Sequence, residues 1–90
     1  MDKARILIVG NGGREHALTW ALKKSPHVGE IIIASGNAGT SAIGKNVAIS
    51  PEDIPVLVKF ADEQRFDLVV IGPEVPLSLG LADELHKIGL

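Results

Sequence analysis

Ninety residues with a formal net charge of −2 and no cysteine make one small domain at most, and they exclude disulfides and thiolate metal sites. The near-neutral charge gives no basic surface for nucleic acid or acidic membranes, and no apolar run reaches the length of a bilayer span or a signal-peptide core, so the default location is the cytoplasm. Hydrophobic residues make up 46% of the chain but the aromatics are only Trp20, Phe60 and Phe66, which implies a core of Val, Ile, Leu and Ala, as in a parallel α/β sheet.

The first strand is predicted over Arg5 to Val9 and runs through Gly10-Asn11-Gly12-Gly13 into a helix from about Arg14 to Lys24. Ala17, Leu18, Ala21 and Leu22 supply its expected buried face, and Ser25-Pro26 ends it. A second strand is expected over Glu30 to Ala34. Ser35 to Gly44 then follows, too small in side-chain volume to pack a core and read either as an ordinary connection or as a loop beside a polar ligand. A third strand is expected from Asn46 to Ile49. The second helix begins near Ser50-Pro51-Glu52-Asp53, with Ser50 or Asp53 as its cap and Pro51 or Pro55 in its first turn. Ile54, Leu57, Val58 and Ala61 form its apolar stripe. The fourth strand covers Leu68 to Ile71, and a third helix starts at Pro76 or Leu77 and buries Leu77, Leu81, Leu85 and Ile88. This alternation predicts a doubly wound, Rossmann-like parallel sheet of about four strands with helices on both faces. Gly89-Leu90 falls where such a fold expects a further strand, so the chain reads as a fragment or an isolated domain.

The strand–glycine–helix junction suits an anion, because glycines permit close backbone approach and the first helical amides lack intrahelical partners. A dinucleotide fingerprint fits poorly. Its third small residue is Glu15 here, and the second strand runs out into Ser35-Gly36-Asn37 rather than an acidic residue. The phosphate-loop Gly-Lys-Ser/Thr is also missing. Ligands of open α/β sheets bind beyond the carboxyl ends of the strands, where Gly10 to His16, Ser35 to Gly44 and Gly72 to Pro76 all fall.

Arg14 suits a bidentate phosphate contact, and His16 suits a hydrogen bond to one. Glu15 equally suits a helix N-terminus, and His16 equally suits a neighbouring loop. Glu74, stiffened by Pro73 and Pro76, is placed to accept hydrogen bonds from sugar hydroxyls or an amine, or simply to begin a helix. His27 and His86 have no metal-ligand spacing, and no nucleophile, base and orienting group stand together. The expectation is a chain that binds but does not catalyse alone, with no metal site. A receiver-like binding module is disfavoured, since Gly10-Asn11 and Ser50-Pro51 stand where that fold needs acidic residues.

Taken together, Gly10 to Ala17, Ser35 to Thr40 and Ile71 to Leu77 resemble the amino-terminal domain of the glycinamide ribonucleotide synthetase (phosphoribosylamine–glycine ligase) family, over essentially all of residues 1–90. The resemblance implies a pre-ATP-grasp, Rossmann-like domain whose ATP-grasp portion is absent from this chain. In that family the whole enzyme joins glycine to 5-phosphoribosylamine in purine synthesis and converts ATP to ADP and phosphate. The cofactors ATP and Mg²⁺ or Mn²⁺ would bind mainly in the absent portion. Carried onto this sequence, the substrate-side residues are Gly10, Asn11, Gly12, Gly13, Arg14, Glu15, His16, Pro73 and Glu74, with Asn37, Gly39 and Thr40 as candidate loop contacts. A stand-alone phosphate- or nucleotide-binding module and the equivalent domain of another ATP-grasp ligase are the alternatives.

Overall fold

A computed structural model describes residues 3–10, 12–72 and 80–89. In chain order the elements are β1 (Ala4–Gly10), α1 (Gly13–Lys23), β2 (Val28–Ser35), α2 (Ala38–Ser41), β3 (Lys45–Val47), α3 (Ile54–Gln64), β4 (Leu68–Ile71) and α4 (Leu81–Lys87). The strands form one parallel sheet in the order β3-β2-β1-β4. The register sets Leu7 between Ile32 and Val69, and Ile8 between Ile33 and Val70.

Alternation along the strands builds a core on each face of the sheet. Leu7, Val9, Ile32 and Ala34 point to one side, where Leu57 and Ala61 of α3, Phe66, and Leu81 and Leu85 of α4 cover them. Ile6, Ile8, Ile31 and Ile33 point to the other, where Leu18 and Leu22 of α1 pack. Burying each such side chain contributes roughly 1.5–3 kcal/mol. The near-continuous apolar runs of β1 and β2 are what burial on both faces requires.

Asp53 caps α3, its Oδ1 accepting the Val56 N–H at 3.4 Å, and Pro55 is the proline in the first turn. Ser50 instead shapes the preceding turn, its Oγ accepting the Glu52 N–H and its carbonyl the Asp53 N–H. At the other end of α3 the Arg5 guanidinium donates to the Gln64 carbonyl and pairs with Glu30 at 2.8 Å. It also lies 5.0 Å from the centre of the Phe66 ring. A cation there complements the negative end of the helix.

Two expectations need correction. β3 ends at Val47 rather than Ile49, because the Ile49 N–H turns back to the Val47 carbonyl. The buried line of α1 is not Ala17-Leu18-Ala21-Leu22. Ala17 and Ala21 are exposed, and the line runs through Glu15, Leu18, Thr19 and Leu22, an equally regular i, i+3, i+4, i+7 stripe rotated on the helix. Its polar members are accommodated locally: Thr19 Oγ1 donates to the Glu15 carbonyl at 2.6 Å. The outer side of α1 carries Trp20, 54% exposed, with the Lys24 ammonium 3.3 Å from its ring centre. The segment after β2, for which two readings were open, contains a capped helical turn. Asn37 caps the single turn α2, and Thr40 is fully buried. The expected start of the last helix and its Leu77 lie outside the described residues; Leu81 and Leu85 are buried and Ile88 half-buried as expected.

Candidate functional site at the strand tips

Parallel strands bring the ends of β1, β2 and β4 to one edge of the sheet, and backbone bonds knit those ends together. The Gly36 N–H donates to the Gly10 carbonyl at 3.0 Å and the Gly72 N–H to the Val9 carbonyl at 2.7 Å. α1 rises from this edge with its amino end toward the strand tips, so its first amides face the same region.

Glu15 occupies the inside of the glycine loop. It is 2% exposed, and its Oε2 accepts the Gly12 N–H at 3.0 Å. A Cβ at Gly10, where φ is +147°, would stand 2.6 Å from Glu15 Oε1, and one at Gly72 would stand 1.9 Å from it. Both glycines therefore make room for a carboxylate of this chain. This also gives the physical reason why the third small residue of a dinucleotide fingerprint is out of place here: the Glu15 side chain fills the inner crevice and takes up an amide at the amino end of α1.

Outside that plug, among the described residues, nothing lies within 4 Å of the position a Cβ at Gly13 would take, and Arg14 beside it is exposed. His16 is exposed too. Its ring lies over Gly39, where a Cβ would come within 2.9 Å, so this glycine serves the contact between α1 and α2. Asn37 bridges the two loops, its Nδ2 donating to the Gly12 carbonyl at 3.1 Å. The structure thus gathers Gly10, Gly12, Gly13, Arg14, Glu15, His16, Asn37 and Gly39 on one edge. Thr40, the other candidate loop contact, lies beneath them and is fully buried. Asn11, Pro73 and Glu74 lie outside the described residues.

The family model described as phosphoribosylglycinamide synthetase, N domain, matches residues 4–90. The chain belongs to this family. It is 49% identical to a phosphoribosylamine–glycine ligase of Rhodopirellula baltica over all of its own length and 21% of that protein. It is 51% identical to the ligase of Haemophilus influenzae, covering 94% of this chain and 20% of that one. A trifunctional purine biosynthetic protein adenosine-3 of Gallus gallus is 49% identical over 96% of this chain and 9% of its own length. The chain therefore spans about a fifth of the single-function relatives it matches. Membership of this family displaces the equivalent domain of another ATP-grasp ligase.

Two features of this N domain that shape the edge escaped the sequence reading: the reason for Gly72 and the part played by Asn46. Gly72 stood in the right segment, with Glu15 as the unseen reason for it. Asn46 faces Ile33 in the register of β2 and β3, a pairing that only the folded sheet brings out. Among the described residues no three His, Asp or Glu side chains come together as metal ligands, and no helix is long and apolar enough to cross a membrane.

Proposed function

We propose that this chain is the amino-terminal, substrate-side domain of an ATP-dependent ligase that joins glycine to 5-phosphoribosylamine, and that its strand-tip edge receives the sugar phosphate and its amine. The observation that carries this reading is the match to the synthetase N domain over residues 4–90. ATP and Mg²⁺ or Mn²⁺ would supply the phosphoryl chemistry from an ATP-grasp portion of the same cytoplasmic polypeptide. The described residues lack a donor set for the metal, so no step through it is assigned to them.

Because Glu15 fills the inner crevice, the ligand meets the outer rim. There the first-turn amides of α1 approach it beside Gly13, where no side chain of the described residues stands in the way. Arg14 supplies the positive charge that offsets the Glu15 carboxylate and holds the phosphate bidentately. Asn37 keeps the neighbouring turn in place through its bond to the Gly12 carbonyl. Glu74 accepts hydrogen bonds from the ribose hydroxyls or orients the amine.

The intact polypeptide is expected to release ADP only when glycine and 5-phosphoribosylamine are both present, and this domain alone is expected to give no turnover. ADP release that ignores either substrate would overturn the reading. Glu74→Gln is expected to raise the phosphoribosylamine KM much more than the ATP KM; equal KM values for the variant and the parent would remove Glu74 from this role.

A further inference from the structure

The edge strand β3 contributes one side chain to the strand-tip edge. Asn46 Nδ2 donates to the Asn37 carbonyl at 2.8 Å, and its Oδ1 accepts from Thr40 Oγ1 at 2.8 Å. Thr40 Oγ1 in turn accepts the Asn37 N–H at 2.7 Å, and the Thr40 N–H donates to Asn37 Oδ1 at 3.0 Å. A hydroxyl has one proton. The Asn37 carbonyl, an acceptor only, takes Asn46 Nδ2 and so fixes the amide orientation of Asn46; the hydroxyl has both Asn46 Oδ1 at 2.8 Å and the same carbonyl at 2.9 Å as acceptors, and its proton on Oδ1 relieves the contact between those two oxygens.

The turn around which these groups close admits no alternative side chain. Gly36 has φ +77°, and a Cβ there would stand 2.1 Å from Asn46 Oδ1 and 2.7 Å from Thr40 Oγ1. Among the described residues two bonds tie this turn to the glycine loop: the Gly36 N–H donates to the Gly10 carbonyl, and Asn37 Nδ2 holds the Gly12 carbonyl 25 residues earlier in the chain. Fixing Asn37 therefore fixes the entry to α1.

We propose that Asn46, acting through Thr40 and Asn37, is a positioning residue for the glycine loop. It sets the Gly36–Asn37 turn in the one arrangement that holds the Gly12 carbonyl, and so aims the open rim of Gly13 and Arg14. Its effect on substrate rests on the ligase reading above, whereas the coupling between the two loops does not.

Both parts are tested on the intact polypeptide by hydrogen exchange with peptide mass analysis and by steady-state kinetics. Asn46→Asp keeps the shape but sets a second acceptor against the Asn37 carbonyl. It is expected to speed exchange about tenfold in residues 36–41 and also in residues 12–16, and to raise the phosphoribosylamine KM about tenfold with the ATP KM within twofold of the parent. Thr40→Val is expected to reproduce both effects, and Thr40→Ser, which keeps the hydroxyl, to reverse them.

Faster exchange confined to residues 36–41, or KM values that rise equally for both substrates, would overturn the proposal. If Asn46→Asp does not fold, Asn46→Ser and the Thr40 pair read the same quantities. A parent polypeptide without ligase activity would count against the functional reading alone, and the exchange of residues 12–16 would still decide the coupling.

Discussion

At the amino end of the sheet, Arg5 pairs with Glu30 while their side chains remain 34% and 45% exposed, so water competes for the charges and screens them. At the carboxyl end, Glu15 and Thr40 are almost wholly buried, and the glycines at 10, 36 and 72 exist because those side chains and Asn46 take the space. The first arrangement tolerates loss, since solvent replaces what is removed. The second does not, since each buried polar group depends on a fixed neighbour. The edge proposed to receive the ligand is thus also the edge with the least freedom to rearrange.

The contrast breaks if substitutions at the two ends have equal effects. Gly72→Ala is expected to be the most damaging, because its Cβ would displace a boxed-in carboxylate and also approach the Val9 carbonyl to 3.0 Å. A loss of about 2–3 kcal/mol in the urea-unfolding free energy is expected from such overpacking. An unchanged midpoint would mean that Glu15 moves freely. Thr40→Val removes the hydroxyl and strands the Asn37 N–H, for an expected loss of about 1–3 kcal/mol by the same measurement.

Arg5→Ala gives up an exposed ion pair and a charge at the end of α3, and about 1 kcal/mol is expected. A loss exceeding that of Thr40→Val would invert the comparison. Gly13→Ala meets open space within a helix, so stability should stay within about 0.5 kcal/mol, or rise slightly. Its expected effect is on phosphoribosylamine KM, which should increase; a normal KM would move the ligand away from this rim.

How much of this was legible follows from where polarity lies. The strands and α3 could be read because their buried positions are apolar: the runs Ile6–Val9 and Ile31–Ala34, and the stripe Ile54, Leu57, Val58, Ala61. α1 could be found but not oriented. Two positions of its buried line are Glu15 and Thr19, and a search for apolar periodicity selects Ala17 and Ala21 instead. α2 was missed because one turn is too short to show a period, and its stability comes from Asn37 and Thr40 bonding each other rather than from an apolar face. The candidate edge was located by its glycines, but their partners Glu15 and Asn46 become visible only when distant parts of the chain are brought together.

Trp20 carries a practical consequence for anyone who follows unfolding by light. It is the chain's one tryptophan, and its indole already stands largely in water, pressed by an ammonium rather than by the core. Its emission should be red-shifted in the native state and should change little as the sheet comes apart. Far-ultraviolet circular dichroism will register the transition that this fluorophore passes over, and the same insensitivity makes the indole a clean reporter of whatever settles on the outer side of α1.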